Sequence, residues 1–179
     1  MSKKILIVID MQNDFIDGAL GSEEAQAIVP KVKQKIYEYN KNGDPIIFTR
    51  DTHDNNYLGT SEGQKLPIKH CIRGTDGWQI GLEVRAGDYG IINKRTFGYL
   101  KWENALEYFI DGLDLKNVTV EICGLDSDIC VVTNALIIKT IYPDINVMVD
   151  ASCCAGSTPE KHKAALEVMK SCQIDVVGE

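Results

Sequence analysis

The chain has 179 residues, 44% hydrophobic and 25% charged, and its 19 Lys and Arg against 26 Asp and Glu give a formal net charge of −7. That length suits one domain, 1–179, with a sizeable core, and the composition excludes disorder, collagen-like repeats and coiled coil. An acidic chain lacks the basic footprint that phosphate backbones require, and no apolar run reaches the ~18 residues of a membrane span, so the expectation is a cytoplasmic protein with neither nucleic acid nor membrane as partner.

The first predicted strand, Lys4–Ile9, is continuously apolar, as a strand buried on both faces of a parallel sheet should be. Val29, Val32, Ile36 and Tyr39 then recur at helical spacing, with Pro30 taken as a first-turn proline and Asn42-Gly43 as the stop. A second strand is predicted at Pro45–Thr49. Asp51 to Asp88 lacks a period and carries Gly59, Gly63, Gly74, Gly77, Gly81 and Gly87; a long irregular stretch of this kind is usually functional. A strand at Gly90–Asn93, a helix at Trp102–Ile110 and a strand at Val118–Cys123 follow, with Glu121 the one charge in an apolar run and in need of a helix-borne cation or a partner. Ser127–Thr140 carries Cys130, Val131, Asn134, Ala135 and Ile138 at helical intervals, and a strand is predicted at Ile145–Val149. Ser157-Thr158-Pro159-Glu160 has the form of a capping box before a last helix, on which His162 is expected at the surface, and Asp175–Val177 closes the chain. Strands alternating with helices predict an α/β fold: a doubly wound, six-stranded parallel sheet with helices on both faces, Rossmann-like.

Ligands of such sheets bind beyond the carboxyl ends of the strands. Asp10, Asp51, His53, Lys94 and the segment Asp126 to Cys130 therefore share one rim. Of the six thiols, Cys130 stands where a strand ends and a helix begins, so unpaired N–H groups and the positive end of the helix dipole would favour thiolate. Lys94 could add a positive charge and Asp10 could shuttle a proton, a nucleophile, base and orienter set. Asp51-Thr52-His53 puts two ligands on one side of an extended segment, with Glu62 and His70 further on, a set suited to one divalent transition metal, Zn, Fe or Mn.

Ile7-Val8-Ile9-Asp10-Met11-Gln12-Asn13-Asp14-Phe15 resembles the opening motif of the isochorismatase-like cysteine hydrolases, which include nicotinamidases. Lys94 in Ile92–Gly98 and Cys130 in Gly124–Val131 resemble the family's other two signatures, in the right order. The resemblance implies an isochorismatase-like hydrolase fold, Asp10, Lys94 and Cys130 as the catalytic triad, a cis peptide at Leu125-Asp126, and an oxyanion hole from the backbone N–H groups of Asp126 and Cys130. Asp126 departs from the family's usual small residue, and a carboxylate near a developing oxyanion is unfavourable unless it points away or is neutralised.

Asp51-Thr52-His53 and Pro67–Gly77 resemble the metal-binding segments of nicotinamidases. That implies Asp51, His53 and His70 as ligands, with Glu62 as a fourth; Tyr57 lies where some members have a second His. No Trp precedes His70, so a substrate ring would be sandwiched by Phe15 or another aromatic such as Phe97 or Tyr99, with Leu125 also beside the substrate. The implied activity is hydrolysis of nicotinamide through a cysteine thioester, with another small amide, a carbamoyl compound or an isochorismate-like vinyl ether as the alternative substrate, in a homo-oligomer. A nucleotide-binding module is disfavoured, because no Gly-x-Gly-x-x-Gly follows the first strand.

Overall fold

The computed structural model describes residues 3–82 and 89–179. Six parallel strands, β1 (Lys3–Ile9), β2 (Ile46–Asp51), β3 (Tyr89–Lys94), β4 (Val118–Gly124), β5 (Asn146–Cys154) and β6 (Asp175–Val177), form one sheet in the order β3-β2-β1-β4-β5-β6. Ile5 to Ile9 are fully buried, because β1 lies in the middle of the sheet with β2 and β4 as neighbours and helices above and below. The strand order runs outward in both directions from β1 and β4, and this switch point opens a crevice at their carboxyl ends. The predicted fold class is the observed one.

The helices are α1 (Asn13–Ile16), α2 (Glu23–Asn42), α3 (Ser61–Lys65), α4 (Trp102–Ile110), α5 (Val132–Ile141) and α6 (Pro159–Ser171). Right-handed crossovers put α2 on one face and α4, α5 and α6 on the other. Pro30 is not a first-turn proline. It lies well inside α2, which begins at Ser22, whose hydroxyl accepts the Ala25 N–H at 3.0 Å, and Glu23 and Glu24 follow at the positive end of the dipole. Pro30 is exposed, so the carbonyl it frees faces water, while Ala25, Ile28, Val32, Ile36 and Tyr39 bury the opposite stripe.

That stripe explains Glu121. Lys35 of α2 pairs with Glu121 of β4 and, at 2.7 Å, with Asp150 of β5; the Tyr39 hydroxyl donates to Glu121 at 2.6 Å. The ion cluster joins α2 to the sheet.

At α6 the capping residue is Thr158, whose hydroxyl accepts the Lys161 N–H at 3.2 Å, rather than Ser157. Ser157 is engaged elsewhere: its N–H and hydroxyl both donate at 2.7 Å to Asp128, in the turn that carries Cys130. His162, expected at the surface, is half-buried, with Nδ1 2.8 Å from the Ser127 hydroxyl. A Cβ at Gly156 would come within 2.8 Å of Asp128 Oδ1 and 2.9 Å of Ser127 Oγ, so this close junction between α6 and the Cys130 turn needs glycine.

The irregular segment after β2 is tied down by the residues that follow β1. Gln12 bridges to Ile80 and His53 to Ile72, the Asp14 carboxylate accepts the Cys71 N–H at 2.7 Å, and a Cβ on Gly77 would run into that carboxylate. The end of the stretch, with Gly87, lies outside the described residues.

Candidate active site and metal centre

Four neighbouring strands each present one chemical group at the same rim. In sheet order these are Lys94 at the end of β3, Asp51 at the end of β2, Asp10 after β1 and Cys130 beyond β4. Lys94 Nζ reaches along the rim, 3.5 Å from Asp51 Oδ1, 2.6 Å from Asp10 Oδ2 and 3.3 Å from Cys130 Sγ. Lys94 is only 2% exposed, and burial alone would discharge it; Asp10, Cys130 and Asp51 more than offset this and hold it above the ordinary lysine range.

Asp10 is fully buried and held with φ at 48°, in the left-handed region that Asp tolerates better than most side chains. Thr49 fixes it twice: the hydroxyl accepts the Asp10 N–H at 3.1 Å and donates to Oδ1 at 2.6 Å. Burial raises the Asp10 carboxyl above the usual carboxylate range, with Lys94 opposing.

Burial pushes the Cys130 thiol well above the usual range although Lys94 pulls the other way. The helix start expected at Ser127 is also different: Ser127–Val131 forms one π-helical turn, and α5 continues from it. Such turns recur at functional sites, where they re-aim a side chain.

The peptide Leu125-Asp126 is cis. Among the described residues, the Asp126 N–H donates to no protein backbone group. The side chain of Leu125 is fully buried in the core and is not among the residues that line the cavity. Asp126 lines the cavity, and its side chain makes no capping bond to the turn that follows. Burial, then the like charges of Asp128 and Asp10, push it up to about 7.

Beside this set, single ligand atoms of Asp51, His53, Glu62 and His70 all lie within 4.8 Å of one another. Asp51 Oδ2 is 2.7 Å from His53 Nε2 and 3.6 Å from His70 Nε2; Glu62 Oε1 is 3.6 and 3.8 Å from the same nitrogens. Metal bonds of about 2.0–2.2 Å at tetrahedral angles put ligand atoms about 3.3–3.6 Å apart, so the group fits a divalent transition ion. Two details favour this. His53 Nε2 is buried without a hydrogen-bond partner, and His70 Nδ1 lies 2.8 Å from the Ile68 carbonyl, which leaves Nε2 as the lone-pair nitrogen. Burial would raise the Asp51 carboxyl, but the adjacent imidazoles of His53 and His70 and the charge of Lys94 hold it well below the usual range.

Cys130, Asp51, Glu62 and His70 line a cavity of about 350 Å³. Phe15, its ring 5.6 Å from that of His70, forms one wall, and Phe97, 48% exposed, forms part of another. Tyr99 is packed edge-on against Trp102 and does not line the cavity. Tyr57 is not a ligand; it is fully buried against both imidazoles at 4.6 and 5.0 Å, and its hydroxyl donates to the Leu66 carbonyl.

Two supporting amides were given no role in the sequence reading. Gln12, fully buried, accepts the Asp51 N–H at 2.6 Å and donates at 2.9 Å to the Asp51 and Trp78 carbonyls, which fixes the backbone of a ligand. Asn134 donates to the Cys130 and Phe97 carbonyls and accepts from Tyr99 N and Trp102 Nε1, which ties the thiol turn to the Phe97 wall. The signal for Asn134 was a polar amide one helical turn after Cys130 among apolar residues; Gln12, between Met11 and Asn13, carried none of that kind.

The isochorismatase domain matches residues 4–178. A nicotinamidase of Schizosaccharomyces pombe is 26% identical, over 97% of this chain and 92% of its own length. Among solved structures, the pyrazinamidase of Pyrococcus horikoshii in complex with zinc superposes with a TM-score of 0.81 at 30% identity, covering 99% of both chains. The nicotinamidase/pyrazinamidase of Bacillus subtilis superposes with a TM-score of 0.82 at 25% identity, covering 98% of this chain and 99% of its own. With the domain match spanning almost every residue, the chain belongs to the isochorismatase family of hydrolases.

Proposed function

We propose that this hydrolase is a metal-dependent cysteine amidase that converts nicotinamide to nicotinic acid and ammonia. The observation that carries the reading is Lys94 Nζ standing 2.6 Å from Asp10 and 3.3 Å from Cys130 Sγ, with Cys130 lining the same cavity as Asp51, Glu62 and His70 of the ligand cluster.

In the proposed scheme Asp10 takes the thiol proton as the sulfur of Cys130 adds to the carboxamide carbon, and Lys94 balances the negative charge on sulfur. The N–H groups of Asp126 and Cys130 receive the oxyanion, each contributing on the order of 3 kcal/mol. Asp10 returns its proton to the nitrogen, the C–N bond breaks, ammonia leaves and an acyl thioester remains on Cys130. Asp10 then deprotonates a water that adds to the thioester; C–S cleavage releases the acid and restores the thiol. A divalent ion held by Asp51, His53, Glu62 and His70 supplies, when bound, Lewis-acid chemistry beside the carboxamide. Phe15 packs on the substrate ring and excludes water.

Ammonia release from nicotinamide, with and without chelation and beside a panel of small amides, tests this. Turnover that is lost on chelation, regained with Zn, Fe or Mn, and reduced at least about 10³-fold in Cys130→Ala is expected. Full turnover by Cys130→Ala overturns the scheme, and turnover of other amides without nicotinamide discards the substrate while keeping the mechanism. Turnover indifferent to chelators removes the metal from the reading.

A further inference from the structure

Asp126 stands in the wall of the cavity, and the protein provides no hydrogen-bond donor for its carboxyl group. It makes no capping bond to the turn it precedes, and among the described residues no N–H or O–H donates to its side chain. The groups that face it are of the wrong sign or are already engaged. Asp128 is bound twice by Ser157, Asp10 is paired with Lys94, His70 belongs to the ligand cluster, and the Lys161 ammonium donates to Ser157 Oγ at 3.2 Å. The same cavity is lined by the apolar Ile129, Phe15 and Phe97 beside the hydroxyls of Ser22 and Ser157. A polar group enclosed in such surroundings needs a partner, and the space in front of it is the space a ligand fills.

We propose that Asp126 is the specificity-determining residue of this cavity, and that the preferred substrate is a small carboxamide bearing a second hydrogen-bond donor, an amino or ring N–H group, which binds the Asp126 carboxyl. The proposal deepens the amidase reading and rests on it for the scissile group. Burial and the like charges of Asp128 and Asp10 already disfavour the Asp126 anion, and a donor on the substrate relieves this. A site built around an acceptor rejects an analogue without the donor more strongly than a pocket rejects a missing methylene, so the discrimination is against the unsubstituted ring.

The test compares nicotinamide with 2-amino-, 5-amino- and 6-aminonicotinamide on the wild-type enzyme, Asp126→Ala and Asp126→Asn. In parallel, calorimetric binding of the same four compounds is measured on Cys130→Ala and on Cys130→Ala with Asp126→Ala. At least one amino compound is expected to exceed nicotinamide tenfold or more in kcat/KM and in affinity. That ratio is expected to fall at least tenfold without the Asp126 carboxylate, whatever the substitution does to both rates. Should Asp126→Ala fail to fold, Asp126→Asn, equal in shape but uncharged, carries the comparison. A wild-type enzyme with no such preference in either measurement overturns the proposal, as does a preference that survives both substitutions. If none of the compounds is hydrolysed but binding shows the Asp126-dependent preference, the amidase reading falls and the recognition by Asp126 stands.

Discussion

Asp51 uses each of its oxygens differently: Oδ2 faces the imidazoles of His53 and His70, and Oδ1 faces Lys94. One carboxylate thus belongs to the ligand cluster and to the charge network of the thiol, and its position depends on Gln12, which holds both its N–H and its carbonyl. Gln12→Ala removes the partner of the buried Asp51 N–H and carbonyl and of the half-buried Trp78 carbonyl, and should cost about 2–4 kcal/mol in denaturant unfolding. It should also weaken metal affinity about 10–100-fold, as loss of an outer-shell support does, measured by competition with a chelating dye. Asp126 gives a second test. Its carboxyl is raised to about 7 in the folded protein, so the native state holds a proton that the unfolded chain has released by about pH 5, and the group's contribution to stability falls as pH rises toward 7 and above. In metal-free protein, Asp126→Asn should therefore raise Tm at pH 8 and have little effect at pH 4.5.

The elements around the site are joined by side chains as much as by packing. Glu121, Lys35, Tyr39 and Asp150 bind α2 to β4 and β5 through a nearly enclosed ion cluster. Lys35→Met would leave two carboxylates facing each other without their cation, and a loss of about 3–5 kcal/mol is expected in the urea midpoint, with nicotinamide turnover at low temperature retained. The sequence made most of these elements legible: apolar runs located all six strands, and β1 reads as a continuous run because a strand buried on both faces needs no alternation. Its failures have particular causes. Pro30 was given the meaning that proline has in a first turn, whereas on the solvent face of a long helix its missing N–H costs little. Ser157 has the right residue type and spacing for a cap, but the Asp128 carboxylate claims it from a distant part of the chain.

At the scale of the molecule, Asp10, Asp51, His53 and Lys94 were legible as rim residues because each ends or closely follows a strand, and parallel strands bring their carboxyl ends to one rim, whereas Glu62 and His70 stand in the irregular segment and were fixed as ligands only through the resemblance. What local sequence could not give was the order of the strands, and with it the contact between Lys94 and Cys130, which belong to strands separated by two others. Nor could it show burial winning over the dipole and Lys94 at the thiol, a balance that depends on how completely the site is enclosed. Among the described residues no helix is long and apolar enough to cross a membrane.

The strand that supplies Lys94 is the outermost on its side, paired only with β2. Edge strands open first, in local fluctuations that leave the rest of a domain intact. When β3 separates from β2, Lys94 is withdrawn from Asp10 and Cys130 together, while the central strands keep the core. Inactivation should therefore precede global unfolding. In a urea series, activity should decline at concentrations where far-UV circular dichroism is still native, and amides of β3 should exchange hydrogen sooner than those of β1; coincident loss of activity and structure would contradict this.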